Sequence, residues 1–197
     1  MMMSDTTAVG LTEVWTPLLQ QQLFRNLMTA FSFPGRCICL PEGVRPDEAI
    51  TALTATLVDA EVSLADVGGL ITALDLKRIG AAPAAPETAH FITLHGDQLP
   101  DFMPCIGSLE SPEGGATCII RVNALATDAG NGCRLSLQGA GIDIRTDLVV
   151  DGLDAGWVDA RAGWNRSFPM GVDLILCDGE RMAALPRTTR INIEGAN

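Results

Sequence analysis

The stretch Phe168–Thr189, FPMGVDLILCDGERMAALPRTT, constrains the fold of this chain more than any other segment. Val172, Leu174 and Leu176 alternate with Asp173, Ile175 and Cys177 at the period of two of a β-strand. Ile175 and Cys177 make both faces apolar, so the strand is expected to be buried on both sides. Asp178-Gly179 follows at once, and such a pair supplies the positive backbone angles of a tight turn whose twist matches its flanking strands. Glu180–Leu185 is then the return strand of a C-terminal β-hairpin. Pro186 has no N–H for a ladder and ends that strand, which leaves Arg187, Thr188, Thr189 and Arg190 at a sheet end.

Those residues are the first functional candidates. A guanidinium offers a planar fork of donors and hydroxyls add more, so Arg187 with Thr188 and Thr189 suits a phosphate, a phosphonate or a contact with another subunit. A salt bridge from Arg187 to a nearby carboxylate is the alternative reading. Asp173, beside a buried strand, reads equally well as the partner of an arginine or of backbone amides.

Upstream, strands and helices interleave. Thr16 is placed to cap a helix with Pro17 at its first position, and Phe24, Leu27, Met28 and Phe31 fall on one face at i, i+3, i+4 and i+7. Part of that stripe, if exposed, would pack on a partner subunit. Pro34-Gly35 fits the centre of a type II turn before a short strand, Arg36–Leu40. Asp47 is expected to cap a second helix carrying Ile50, Leu53, Leu57 and Val58. A strand over Glu61–Val67, a helix over Leu70–Arg78, a proline-interrupted connection at 80–88 and a strand over Ala89–Leu94 follow. Ser111–Gly115 is a turn cluster. Ala116–Val122 and Cys133–Leu137 are expected to pair as a hairpin across Asp128–Gly132, and a weakly patterned helix spans about 155–166 with Trp157, Val158, Ala162 and Trp164. Residues 1–10 lack periodicity and read as a flexible tail ahead of one domain, 11–197. The expected class is α/β, a mixed sheet flanked by helices.

Composition narrows the function. A net charge of -11 repels polyanions, which argues against nucleic-acid and anionic-membrane partners. No run approaches the ~18 apolar residues of a membrane span, and the N-terminus has no basic region ahead of an apolar core. The six cysteines are scattered, and a chain of 197 residues does not depend on staples, so they read as reduced thiols in a cytoplasmic protein. Cys37 and Cys39 share a strand face without a CxxC or a histidine pair to complete a metal site. Gly139-Ala140-Gly141 lacks the third glycine and the helix of a dinucleotide fingerprint. His90 and His95, five apart on a strand, face opposite ways. No Gly-x-Ser-x-Gly elbow is present, so no catalytic residue is assigned.

The stretch FPMGVDLILCDGERMAALPRTT resembles the C-terminal signature of the PhnH subunits of bacterial carbon–phosphorus lyase systems. Phe24-Arg25 with Ser32-Phe33-Pro34-Gly35, Ser111–Thr117 and Leu137–Ile142 resemble further segments of that family in order, so the likeness runs from about residue 20 to 193. The resemblance implies a homodimeric α/β protein similar to the large domain of pyridoxal phosphate-dependent transferases, without the cofactor. It also implies an accessory subunit, with other carbon–phosphorus lyase subunits as partners, of the complex that makes α-D-ribose 1-methylphosphonate 5-triphosphate from ATP and methylphosphonate, displacing adenine. A Schiff-base enzyme needs a lysine, and Lys77 is the sole lysine here. A pyridoxal phosphate enzyme using Lys77 and a stand-alone phosphonate- or nucleotide-binding protein are the alternatives.

Overall fold

The computed structural model of the protein describes residues 13–127, 130 and 132–193, so the expected tail and residues 128, 129 and 131 of the expected loop lie outside the described residues. Helices α1 (Pro17–Ser32), α2 (Ala49–Leu57), α3 (Ala73–Ile79) and α4 (Gly156–Trp164) accompany eleven strands among those residues. The strands are β1 (Ile38–Cys39), β2 (Ser63–Asp66), β3 (Ala82–Pro83), β4 (Phe91–His95), β5 (Thr117–Arg121), β6 (Ala124–Ala126), β7 (Cys133–Gln138), β8 (Thr146–Asp151), β9 (Asp173–Cys177), β10 (Arg181–Leu185) and β11 (Arg190–Ile193). A mixed seven-stranded sheet has the order β1-β10-β9-β5-β4-β2-β3, and a four-stranded sheet the order β11-β7-β8-β6.

Strand β9 lies between β5, to which it is parallel, and β10, to which it is antiparallel. Its alternation divides the core. Leu174 and Leu176 pack with β7, β8 and α4, whereas Ile175 and Cys177 pack with α1 and α2. Burying leucine or isoleucine stabilises by about 1.5–3 kcal/mol each, so this one strand ties both layers to the sheet. The class is α/β with a mixed sheet, but the layering differs from the expectation. Helices α1, α2 and α3 cover one face, and the antiparallel sheet with α4 covers the other.

The turn between β9 and β10 has Gly179-Glu180 as its two-residue loop, with Asp178 and Arg181 joined by an N–H···O bond of 3.1 Å. Only the glycine takes a positive φ, +100°. Asp178 acts through its carboxylate instead, accepting from the Glu180 and Arg181 amides at 2.9 and 2.7 Å and from Leu125 N at 2.9 Å. The strand pair is not the final element, because β11 leaves for the second sheet.

Other expectations are corrected. Strand β5 does not pair with β7: apolar on both faces, it takes the centre of the large sheet between β4 and β9. Strand β7 pairs with β8, which the sequence reading did not assign, and with β11. Helix α1 buries Leu19, Leu23, Leu27 and Ala30, leaving Phe24 and Met28 about half exposed, because it carries apolar residues on more than one face. Asp47 does not cap α2. Glu48 occupies that position and Asp47 pairs with Arg45 at 3.1 Å. Helix α3 starts at Ala73 because the Asp66 carboxylate holds the Leu70 and Ile71 amides at 2.9 and 3.1 Å in a loop; Thr72 then caps the helix through Asp75 N. Helix α4 buries Trp157, Arg161 and Trp164, while Ala162 faces out.

Candidate functional site

Strands β5 and β9 start side by side, with Thr117 opposite Asp173, and β10 ends beside them at Leu185. Pro186 turns the chain there, and Arg187 folds back onto Asp173. Its backbone N–H donates to Asp173 Oδ1 at 2.6 Å, Nε to both carboxylate oxygens at 3.3 and 3.1 Å, and Nη2 to Oδ2 at 2.7 Å. Nη1 donates to the carbonyls of Pro112 at 2.6 Å and Pro169 at 3.5 Å. Both side chains are less than a fifth exposed. The salt bridge is the arrangement seen, and it spends the arginine's fork on its own chain. Thr188 is exposed, whereas Thr189 is buried.

This node gathers segments distant in sequence. A Cβ at Gly115 would fall on the Gly171 carbonyl and lie 2.8 Å from Arg187 Nη1, so the Ser111–Gly115 and Phe168–Gly171 segments meet on the arginine. A Cβ at Gly139 would lie 2.8 Å from the Thr188 carbonyl. One at Gly141 would fall on the Ser32 carbonyl, and one at Gly35 on Leu137. The glycines at 35, 139 and 141 also take φ of +81°, +142° and +80°, so they are required for both shape and space.

A second arginine escaped sequence reasoning. Arg161 is 4% exposed and ties α4 to the β10–β11 connection. It donates to the carbonyls of Thr189 at 3.0 Å, Leu185 at 3.3 Å and Pro186 at 2.5 Å. No carboxylate is within ion-pair reach among the described residues; burial pulls its pKa down to about 10, with Asp173 acting in the opposite direction. Its Nε and the Thr189 hydroxyl have no hydrogen-bond partner. Arg161 and Thr189 line a cavity of about 330 Å³ with Arg187 and Arg190, while these two unpartnered atoms are themselves closed to it. The signal in the sequence was a basic residue at i+4 from Trp157 and i−3 from Trp164, inside an aromatic stripe.

Open α/β sheets hold ligands at the carboxyl ends of their parallel strands. Here those ends are spoken for. His95 Nε2 is 3.2 Å from the Gly68 carbonyl, Arg121 donates to Pro46 O at 2.7 Å, and Asp178 holds its turn. His90 pairs with Ser63 at 2.7 Å, remote from His95 in its contacts. Lys77 is exposed on α3, bordering a mostly apolar cavity of about 490 Å³ with Leu64, Leu76 and Pro83. Burial pushes the Cys118 thiol up to about 12 and Cys177 to about 11, as expected of core cysteines. Among the described residues no three His, Cys, Asp or Glu side chains are grouped to hold a metal, and no helix is long and apolar enough to cross a membrane.

Comparison with known proteins follows the same segments. The family model of the bacterial phosphonate metabolism protein PhnH matches residues 14–192. The chain belongs to the PhnH family. It is 43% identical over 195 residues to HtxG of Stutzerimonas stutzeri, provisionally named a C-P lyase subunit protein, covering 99% of this chain and 97% of the relative. It is 29% identical over 185 residues to the α-D-ribose 1-methylphosphonate 5-triphosphate synthase subunit PhnH of Rhizobium meliloti (strain 1021), covering 88% and 90%. The PhnH match therefore takes in both layers of the fold and the Arg187–Asp173 node.

Proposed function

We propose that the chain is an accessory subunit of a carbon–phosphorus lyase assembly, inactive alone and required for making α-D-ribose 1-methylphosphonate 5-triphosphate from ATP and methylphosphonate with displacement of adenine. The observation that carries this reading is the Arg187–Asp173 node. The residues of the family-like segments meet there and bond to one another, so they build a shaped subunit rather than present reacting groups. The names of the two relatives support the assembly and the pathway. The net charge of -11 agrees, since the triphosphate substrates would be repelled by this surface as a whole.

The proposal includes a cytoplasmic homodimer and a fold akin to the large domain of pyridoxal phosphate-dependent transferases without the cofactor. Leu18, Phe24 and Met28, each about half exposed or more on α1, supply apolar surface for such a contact. Copurification tests the main claim: tagged chain expressed with the other subunits should bring them down in fixed ratio, and failure to join them sinks it. The pyridoxal phosphate alternative predicts a Lys77-dependent absorbance band on adding the cofactor. The exposed Lys77 argues against one.

A further inference from the structure

Strand β2 leads through α3 to β3 on one side of it, and β4 leads to β5 on the other. Helix α3 packs on the α1–α2 face, whereas Phe102 and Ile106 of the β4–β5 connection pack on the opposite face. The connections therefore diverge between β2 and β4, and open α/β sheets receive what they bind at such a point, outside the carboxyl ends of the strands. A cavity of about 310 Å³ lies there, between Val67 just after β2 and His95, Gln98, Leu99, Asp101 and Phe102 at and beyond the end of β4. A further segment, 152–156, supports the second wall. Asp154 N donates to Gly96 O at 2.8 Å, and a Cβ at Gly156 would lie 3.1 Å from Leu99.

The charge here has one sign. No Lys or Arg lines the cavity, and between Arg78 and Arg121 the chain has none, while Glu87, Asp97, Asp101, Glu110 and Glu113 fall in that interval. Asp97 and Asp101 are exposed, and neither has an ion-pair partner among the described residues. Arg121, opposite His95 in the sheet register, turns its guanidinium to the Pro46 carbonyl at 2.7 Å. Val67, Leu99 and Met103 are each about half exposed, so apolar surface borders the unpaired carboxylates, as it does at sites of protein contact.

We propose that this crevice seats a basic anchor, an arginine or lysine flanked by apolar side chains on a segment of another subunit of the assembly. Asp97 and Asp101 attract the charge, and Val67, Leu99 and Phe102 cover its aliphatic stem and its neighbours. A volume of about 310 Å³, at the low end for ligand sites, suits one anchoring side chain in a pocket. A second copy of this chain is the less suited occupant, since its own surface is acidic, with 24 acidic residues against 13 basic. The inference rests on the accessory-subunit reading and adds to it the face that docks and the chemistry of the partner.

The test measures binding of the purified remaining subunits of the assembly to the immobilised full chain at low and high salt. Asp97→Lys with Asp101→Lys should keep the Tm, because both carboxylates are exposed and unpaired, yet weaken association about tenfold or more and flatten its salt dependence. The isosteric pair Asp97→Asn with Asp101→Asn, which disturbs no packing, should weaken it several-fold. Association and salt dependence unaltered by either pair overturn the inference. Loss of self-association by light scattering, with the other subunits still bound at full strength, would assign the crevice to a second copy and overturns it too. If the unaltered chain binds no subunit, the accessory-subunit reading falls and takes the inference with it; if it binds and the charge-reversed chain binds equally, the inference alone falls.

Discussion

Replacing Arg187 by alanine separates its internal bonds from any outward role. The substitution removes two guanidinium nitrogens from Asp173 and one from the Pro112 carbonyl, leaving the carboxylate with the Arg187 backbone N–H among the contacts of this node. Removing one member of a buried pair costs about 3–5 kcal/mol, and the residual exposure of 14% and 18% argues for the low end. A loss of about 3 kcal/mol is therefore expected, equivalent to about 6–12 °C in Tm for a domain of this size. Urea unfolding of Arg187→Ala, Asp173→Ala and the double variant measures it. Because both single changes break the same bonds, the double variant should recover at least about 1.5 kcal/mol relative to their sum. A loss below about 0.5 kcal/mol with strict additivity would refute the reasoning. If copurification then failed with full stability, Arg187 would be an outward subunit contact after all.

Four further expectations follow from the same geometry. Gly115→Ala has an ordinary φ of −68° but no room beside the Gly171 carbonyl, so it should lose about 1–3 kcal/mol by urea unfolding, through crowding alone. Asp66→Ala strands the Leu70 and Ile71 amides and the Thr93 hydroxyl and should cost about 2–3 kcal/mol, with faster amide exchange at residues 68–72. Phe24→Asp with Met28→Asp should cost about 1–3 kcal/mol by urea unfolding, since about half of each side chain is buried and the two carboxylates stand at i,i+4, while light scattering shows loss of the proposed dimer. Thiol alkylation at pH 8 followed by peptide mapping should label exposed Cys39 rapidly and buried Cys118 only on global unfolding, because its thiol, raised to about 12, stays protonated there.

The residues most readable from sequence were those whose local pattern admits one structure. In β9 the two apolar sets leave no solvent face, and Pro34-Gly35 does form a turn, with Gly35 at +81° and Arg36 N bonded to Phe33 O at 3.2 Å. Pairing was harder, because parallel contacts such as β5 with β9 join strands separated by three strands of the second sheet and α4, and nothing local encodes that choice. Strand β8 was missed because Leu148, Val149 and Val150 form a short run with no alternation. The Arg187–Asp173 pair stood within reach. A two-residue turn at Gly179-Glu180 fixes Leu174 opposite Leu185, and counting outward sets Asp173 opposite Pro186, one residue from Arg187. Taking Asp178-Gly179 as the loop shifts the partners by two residues, sets Asp173 opposite Ala184 and hides the pair.

The glycines carry this one step further. Gly115, Gly139 and Gly141 lie against backbone carbonyls of Gly171, Thr188 and Ser32, and Gly35 against Leu137. A side chain at any of them would push apart segments that lie dozens of residues apart in the chain. The pattern that resembles a family is thus a pattern of close approach, and it says how the chain must pack without saying what it contacts. Chemical content has to be sought among polar groups that packing leaves unspent. Arg187 fails that criterion, since every donor nitrogen has an internal acceptor. Arg161 Nε and Thr189 Oγ1 are unspent, but both atoms are closed off from the cavity that their residues line. The arginine that stood out in the sequence is structural, and the one hidden between two tryptophans is structural as well, tying α4 to the β10–β11 connection through three backbone carbonyls.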